Sequence, residues 1–124
     1  MIVNLTGQDV ILVKPTDDII TRGEKRILDP RKLLREYILL EIPKGDVVLK
    51  ESMVCGTLHY AGVEIPLFRV AIEDIPPPQP DTMYLVSPQT AMTYIRSRND
   101  LLVVGPKVIL PWGDTFGYLG LVYP

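Results

Sequence analysis

Apolar residues in this chain occur in short runs that are separated by glycine, proline and charged residues. The runs at 10–13, 101–104 and 108–110 consist entirely of valine, isoleucine and leucine. Short β-favouring runs that are bounded by turn residues are typical of strands. About eight such runs, with little helical periodicity between them, predict a mainly β fold. We expect a small barrel or sandwich of about eight short strands with one or two short helices.

The clearest local unit lies in the second half of the chain, where a strand predicted at 84–86 leads into a short helix. Ser87 is a favourable N-cap residue. Pro88 suits the first helical position, because an N–H group would have no helical partner there. We predict a helix over about 88–97 and, after a polar turn, a second strand at 101–104.

The segment after Asp29-Pro30 can be interpreted in two ways. Asp29 suits a helix N-cap and Pro30 the first helical position. Apolar side chains then recur at helical spacing, at Leu33, Leu34, Tyr37 and Ile38. The same residues continue into an apolar run ending at Ile42, which would equally suit a buried strand, because periodicity does not distinguish short apolar runs. We predict one or two helical turns from Pro30, followed by a strand up to Ile42.

Two apolar-rich segments near the start of the chain, 2–5 and 9–14, are separated by only a few residues that include Gly7. An isolated glycine inside a strand pattern often marks a bulge or a close approach of the backbone. We therefore predict a single strand that is kinked at Gly7.

Two longer apolar runs flank Ala61-Gly62 and predict a β-hairpin. Its strands would cover 53–60 and 63–71. Pro66 has no N–H to donate, which places part of the second strand at a sheet edge. A further strand is predicted at 47–50, before the hairpin.

The segment 75–80 is rich in proline, so it should be extended and should donate few backbone hydrogen bonds. Such a segment is typical of a stiff connector between strands, although it would also suit a ligand for a partner module. The two parts of the chain that it separates would each be small. We therefore predict one β-rich domain over 1–124 that contains this connector.

Composition and charge narrow the classes of partner. The chain has 124 residues, of which 47% are hydrophobic and 23% charged, as expected for a globular protein. Its net charge is -2 and its pI about 5.3, which argues against duplex nucleic acid, because that partner requires clustered positive charge. A small anionic ligand is compatible with this balance, since two or three arginines in a pocket would hold it.

Cysteine and histidine each occur once, as Cys55 and His59. No intrachain disulfide can form, and metal sites made of several cysteines or histidines are not expected. On one strand the two residues would lie about 13 Å apart, too far for a thiolate–imidazole pair. We see no basic-then-apolar leader and no apolar stretch near the roughly 20 residues of a membrane span. A cytoplasmic location without a membrane partner is predicted.

Common catalytic and phosphate-binding motifs do not occur in the sequence. We find no GxGxxG loop, no GxxxxGK followed by Ser or Thr, and no GxSxG elbow. Asp17 and Asp18 are adjacent in a turn-like stretch, whereas glycosidase chemistry needs opposed carboxylates, so a solvated loop is expected. The sequence therefore predicts no catalytic residues, metal or cofactor.

Arginines and aromatic residues give the candidate binding site. Most of the aromatic residues lie in the C-terminal half, where two arginines flank a predicted turn. Aromatic faces beside guanidinium groups suit a nucleobase and a phosphate, and core aromatics with separate surface arginines are the alternative interpretation. The candidate ligand-binding residues are Arg69, Arg96 and Arg98 for phosphate, Tyr84 for base stacking, and Ser87, Asn4 and Thr6 for ribose or base edges.

Several short motifs resemble a family of small bacteriophage and bacterial proteins. Its members commonly open with Asn-Leu-Thr-Pro-His-Pro and carry a Tyr-Ile-Val-Ser stretch followed by Arg-x-Asp-Leu. The similar segments extend over about half of this chain: Asn4-Leu5-Thr6, Ile42-Pro43-Lys44-Gly45, Ile65-Pro66 with Arg69, Pro76 to Pro80, Tyr84-Leu85-Val86-Ser87, and Arg98-Asn99-Asp100-Leu101 with Gly105-Pro106. Gly7-Gln8-Asp9 stands where the family has Pro-His-Pro, so any role of that histidine is lost here. Residues 22–40 look like an insertion.

The resemblance implies function classes rather than one activity, because the family has no settled enzymatic activity. Phage association and small size imply a counter-defence factor, and some such factors are homo-oligomers that sequester nucleotide immune signals. Our first hypothesis is therefore a non-catalytic homo-oligomer whose pockets bind and sequester a cyclic-nucleotide or ADP-ribose-type ligand. The second is a structural or protein-interaction module, such as a virion accessory or an inhibitor of a host protein. The third is a metal-dependent nucleotide-cleaving enzyme with Asp100 or Asp114 as a ligand.

Overall fold

The structure is a computed structural model that describes residues 1–45, 53–69 and 75–124. Twelve strands lie in this part of the chain, with one α-helix and one 3-10 helix. In chain order the strands are β1 (Ile2–Asn4), β2 (Val10–Val13), β3 (Ile19–Arg22), β4 (Lys25–Leu28), β5 (Ile38–Ile42), β6 (Met53–Tyr60), β7 (Val63–Arg69), β8 (Met83–Leu85), β9 (Leu101–Val104), β10 (Lys107–Ile109), β11 (Thr115–Tyr118) and β12 (Leu121–Val122). The helices are α1 (Pro88–Tyr94) and the 3-10 helix Leu34–Tyr37.

The strands form three sheets. A four-stranded sheet has the order β1-β8-β9-β12, a six-stranded sheet has the order β3-β4-β10-β11-β2-β5, and β6 pairs with β7. The predicted mainly β fold is confirmed, but the strands outnumber the eight or so expected, because turns divide several apolar runs. Gly120, with φ 153°, separates β11 from β12 in this way. No sheet closes into a barrel within the described ranges, and the strand predicted at 47–50 lies outside the described residues.

The four-stranded sheet lies between α1 and the six-stranded sheet. Alternating side chains along 84–86 show this: Tyr84 and Val86 pack in one core cluster with Ala91 of α1, whereas Leu85 packs with Leu12 of the six-stranded sheet. All of these side chains are buried. Two stacked sheets correspond to the sandwich alternative rather than the barrel.

The unit around α1 has the predicted strand–helix–strand arrangement, and β8 pairs with β9 in parallel. Ser87 is the N-cap, and its hydroxyl accepts a hydrogen bond from the N–H of Thr90 at 3.2 Å. The helix ends at Tyr94, earlier than predicted, because the N–H groups of Ser97 and Arg98 both bond to the Tyr94 carbonyl and close a turn. No helix in the described ranges is long and apolar enough to cross a membrane.

The prediction of one strand kinked at Gly7 is wrong, because β1 and β2 belong to different sheets. Gly7 adopts a left-handed conformation, with φ 82°, that turns the chain from one sheet to the other. The buried side chain of Asn4 holds this crossing, because its amide donates to the carbonyls of Gln8, at 2.7 Å, and Ile42, at 3.2 Å.

The 3-10 helix brings Tyr37 into a second core on the far side of the six-stranded sheet, beside Leu28 and Val108. The predicted helical turn followed by a strand is found here, as the 3-10 helix and β5, but the helix begins at Leu34 rather than at Pro30. Leu33 is at the N-cap position instead of Asp29, because the Asp29 N–H is bonded to the Asp18 carbonyl at the end of the β3–β4 pairing. The Tyr37 hydroxyl donates to the Asp18 carboxylate at 2.6 Å, and burial raises the Tyr37 pKa, with a further rise from this hydrogen bond. Asp18 is therefore a packing partner of Tyr37 rather than part of a solvated loop.

Candidate functional site

Asn4 and Thr6, two of the predicted ligand-binding residues, bond to each other. The Asn4 side-chain oxygen accepts hydrogen bonds from the Thr6 N–H at 2.9 Å and from the Thr6 hydroxyl at 2.6 Å. Because the Asn4 amide group is also engaged with backbone carbonyls, its side chain already has four hydrogen bonds within the protein. In this structure Asn4 supports the turn at Gly7.

Thr6 and Ser87 meet across a small cleft between the Gly7 turn and the start of α1. The cleft has a volume of about 180 Å³, below the roughly 300 Å³ at which pockets for drug-sized ligands begin. Its lining residues are Thr6, Gln8, Asp9, Val10, Val86, Ser87, Pro88, Val104 and Tyr118. Asp9 is the charged member of this set, so the lining offers a phosphate group no cationic side chain.

Tyr84 and Arg98 also come together, but they contact other parts of the protein. The Arg98 guanidinium donates twice to the Asp100 carboxylate, at 2.9 and 2.8 Å, and once to the Pro76 carbonyl, at 2.9 Å. It lies 5.8 Å from the centre of the Tyr84 ring, and the Tyr84 hydroxyl donates to the Pro77 carbonyl at 3.1 Å. Arg98 and Tyr84 therefore hold the proline-rich segment against the four-stranded sheet.

The Arg98–Asp100 ion pair is largely shielded from solvent, with 13% and 11% of the two side chains exposed. The hydrogen bond from Arg98 lowers the pKa of Asp100, against the opposing effect of burial. The same hydrogen bond raises the pKa of Arg98. Both groups are therefore charged and mutually neutralised over the whole physiological range.

The other two predicted arginines are separate from these pairs. Arg96 is exposed in the turn after α1, while Arg69 ends β7 and its side chain falls outside what the structure describes. The structure thus joins Asn4 with Thr6 and Tyr84 with Arg98, and it places Thr6 and Ser87 in the lining of one cleft. The predicted residues whose side chains it describes do not share a single pocket. Their role in ligand binding stays a prediction.

The two aspartates considered as metal ligands both have partners. Asp100 pairs with Arg98, and the Asp114 carboxylate accepts a hydrogen bond from the Trp112 indole N–H at 2.9 Å. Among the described residues no group of three or more His, Cys, Asp or Glu side chains is placed to hold a metal ion.

A row of three cationic residues crosses one face of the six-stranded sheet. Arg22 of β3 pairs with Lys25 of β4. Strand β10 pairs with β4 in parallel, with Val108 beside Arg26, and the same register brings Lys107 of β10 beside Lys25. Neighbouring strands lie about 5 Å apart, so the row is about 10 Å long. We call Arg22, Lys25 and Lys107 the cation row. All three are exposed.

An apolar row runs beside the cation row on the same face. Ile20 pairs with Ile27, and Ile27 pairs with Ile109 across the same three strands. Each lies two residues along its strand from a member of the cation row, a separation of about 7 Å. This face therefore carries a strip of charge and a parallel strip of hydrocarbon.

Two adjoining clefts occupy this face. One has a volume of about 440 Å³ and is lined by Glu24, Lys25, Arg26, Lys107, Ile109 and Gly113. The other has a volume of about 230 Å³ and is lined by Ile20, Arg22, Ile27, Asp29 and Pro111. The larger cleft is within the usual size range of ligand pockets, and two members of the cation row, Lys25 and Lys107, line it together with Glu24.

Trp112 stands between Pro111 and Gly113, which line the two clefts. The turn that carries it is fixed by two backbone hydrogen bonds at 2.8 Å, from Leu110 to Asp114 and from Gly113 to Leu110. The Trp112 side chain is nevertheless 64% exposed. A large aromatic ring on a tight turn beside a basic cleft can stack on a planar ligand group.

The cation row has no neutralising partner in the part of the chain that the structure describes. The ion pairs between described residues join Arg31 with Asp18, His59 with Glu64 and Arg98 with Asp100, and none involves the row. Like charges at neighbouring positions of a sheet destabilise it. An anion placed over the row would contact several cations at once and would relieve their repulsion.

Sequence reasoning missed this face for a specific reason. Arg22 and Lys25 lie in a polar turn, Lys107 follows much later, and only the parallel pairing of β4 with β10 brings them together. A parallel pair between strands so distant in sequence leaves no local pattern. Trp112 could have indicated this face from the sequence, because it is a large aromatic residue within a turn sequence.

No protein-family model matches the chain, and no curated protein or solved structure gives a significant match.

Proposed function

We propose that this protein is a non-catalytic binding protein that holds a small phosphate-bearing ligand of the nucleotide class on the face formed by β3, β4 and β10. The observation that carries this proposal is the cation row, in which Arg22, Lys25 and Lys107 lie side by side and form no ion pair with a carboxylate of the described residues. Two guanidinium or ammonium groups within reach of one phosphate bind it more strongly than an isolated surface charge does.

The apolar row and Trp112 favour a nucleotide over inorganic phosphate. A ligand whose phosphate lay on the cation row would extend its base over Ile27 and Ile109, about 7 Å away. That separation is comparable to the distance between the phosphate and base of one nucleotide. Trp112 would contribute a stacking surface at the edge of the same face.

Sequestration is the activity that we assign to such a site. The resemblance described above suggests a cyclic nucleotide or an ADP-ribose-type molecule, bound in the cytoplasm and held without cleavage. The face carries cations and hydrocarbon to hold a ligand, while Glu24 and Asp29 stand in separate clefts rather than as an opposed pair in one cleft. Recovery of intact ligand after prolonged incubation is the outcome that we expect.

Calorimetric titration tests the proposal. ADP-ribose or a cyclic dinucleotide should bind, and adenosine, which has no phosphate, should bind much more weakly. Arg22→Gln should weaken binding by roughly fivefold to tenfold, corresponding to about 1 kcal/mol for one exposed charge-assisted hydrogen bond. Arg96→Gln is a matched control, because Arg96 is also an exposed arginine but lies after α1.

The control also separates the two assignments of the site. If Arg96→Gln weakened binding and Arg22→Gln did not, the ligand would lie near the residues predicted from sequence, and the cation row would be the wrong site. If neither ligand class bound at concentrations up to millimolar, the binding proposal itself would be wrong.

One observation favours the second hypothesis, a protein-interaction module. The β6–β7 hairpin exposes a broad apolar face that the ligand site does not use. This hairpin and the cation row belong to different sheets, so the two functions are compatible.

A further inference from the structure

The β6–β7 hairpin forms a sheet of its own. Its strands have eight and seven residues and are the longest in the described ranges, yet β6 and β7 pair only with each other. All residues from 56 to 67 are exposed. An isolated two-stranded hairpin is only marginally stable in water, and further strands or a packed surface usually support it.

One face of the hairpin is apolar and the other polar. Cross-strand pairs join Tyr60 with Val63 and Leu58 with Ile65, and Leu67 continues the same face opposite Gly56. The five apolar side chains are between 39% and 71% exposed. The opposite face carries the pairs Thr57 with Pro66 and His59 with Glu64. We call Leu58, Tyr60, Val63, Ile65 and Leu67 the apolar hairpin face.

We propose that a second copy of this chain covers the apolar hairpin face, so that the protein forms a twofold dimer by packing the two hairpins face to face. This inference does not depend on the proposed ligand site. Sheets that pack in this way lie about 10 Å apart and cross at about 30°. In an antiparallel arrangement Tyr60, beside the turn of one hairpin, would pack near Leu67 of the partner's hairpin.

Charge favours a second copy over a different protein. The five residues of the apolar hairpin face are all uncharged at neutral pH, and, among the hairpin side chains that the structure describes, the ionisable groups of His59 and Glu64 lie together on the opposite face, 3.9 Å apart. Specific partners are commonly selected by complementary charge, which this face does not offer. In a twofold dimer the same surface patch of each copy contributes to the interface. A flat uncharged strip can therefore pack against a second copy of itself.

The buried area would be sufficient for a weak dimer. The five side chains together expose on the order of 500 Å², which is the size of the largest apolar patch on a typical monomer. Two copies would therefore bury about 1,000 Å², which is the lower limit for a specific interface. We accordingly expect association in the micromolar range rather than an obligate dimer.

Sedimentation equilibrium over a wide range of protein concentration tests this proposal. The wild type should pass from monomer to dimer, whereas Leu58→Glu should shift the dimer dissociation constant upward by at least tenfold, because it would bury an unpaired carboxylate on each side. Thr57→Glu is the matched control, since it adds the same charge to the adjacent residue on the opposite face. It should leave the dissociation constant within about twofold of wild type.

Thermal unfolding shows whether both variants keep the sandwich, because the hairpin forms a sheet apart from it. A folded Leu58→Glu monomer together with a dimeric Thr57→Glu supports the proposal. A wild type that stays monomeric at near-millimolar concentration would contradict it, even if the hairpin captured another protein. A dimer that resisted Leu58→Glu would place the contact elsewhere and would also contradict it.

Discussion

Arg98 and the cation row differ in their exposure to solvent and in whether their charges are paired. Arg98 is largely shielded, donates twice to Asp100 and once to Pro76, and lies over the ring of Tyr84. The cation row is exposed on a sheet face and forms no ion pair among the described residues. Arg98 thus has its charge neutralised and its donors used, whereas the row has charge and donors to offer a ligand.

The comparison separates positive charge that stabilises a fold from positive charge that can bind. Removing one partner of a buried ion pair leaves an uncompensated charge, so a mutation in the Arg98–Asp100 pair should destabilise the fold. Removing one member of the cation row relieves repulsion and should cost the fold nothing. We therefore expect mutations in the two regions to have opposite effects on stability and on ligand affinity.

The largest expected effect is on stability, from Asp100→Asn. This change leaves the guanidinium of Arg98 without its counter-charge, and we expect the free energy of unfolding to fall by about 2–3 kcal/mol. Asp17→Asn removes an exposed carboxylate and should change it by less than about 0.5 kcal/mol. Urea unfolding monitored by circular dichroism measures the free energy of unfolding of both variants. If the two variants showed the same small loss, the Arg98–Asp100 pair would not stabilise the fold.

Acid should abolish the same stabilisation. The Asp100 pKa is lower in the folded protein than its ordinary value, so its contribution is complete above about pH 4 and is lost as the pH falls through the folded pKa. The stability difference between wild type and Asp100→Asn should therefore shrink below about pH 4. A difference that stayed constant down to pH 2 would mean that Asp100 is not the titrating group.

A smaller effect is expected on ligand affinity from Trp112→Ala. Loss of one stacked base costs about 1–2 kcal/mol, so nucleotide affinity should fall by roughly tenfold while pyrophosphate affinity stays the same. Tyr123→Ala is a suitable control, because Tyr123 is another exposed aromatic residue, 61% exposed, near Asn99. An equal loss of nucleotide and pyrophosphate affinity would indicate damage to the turn rather than loss of stacking.

The smallest expected effect is on the stability of the cation row itself. Lys25→Gln removes the central charge of the row, and the free energy of unfolding should rise by a few tenths of a kcal/mol at low salt. The gain should disappear at high salt, where exposed charges are screened. A clear loss of stability would show that Lys25 serves the fold instead.

The local elements of this protein were predictable from its sequence. Ser87 and Pro88 begin α1 as expected, and Ala61 and Gly62, with φ 52° and 78°, turn the predicted hairpin. These features depend on neighbouring residues, whose conformational preferences act locally. The division of the chain into short strands was harder to predict. One kinked strand was expected near the start of the chain, whereas Gly7 turns the chain from one sheet to another.

The candidate site was less predictable, because it depends on contacts between distant segments. Arg98 and Tyr84 were chosen as an arginine and an aromatic residue, but nothing in the sequence showed that Asp100 and the carbonyls of Pro76 and Pro77 would occupy them. The cation row depends on the parallel register between β4 and β10. Neither the pairing nor the register of distant strands follows from periodicity alone.

Amide chemical-shift mapping during titration with ADP-ribose is the measurement that distinguishes the two regions most directly. We expect the largest shifts in β3, β4 and β10 and at the Trp112 indole N–H, with little change around Tyr84 and Arg98. Shifts concentrated between residues 84 and 100, or no shifts at saturating ligand, would contradict the assignment of binding to the cation row.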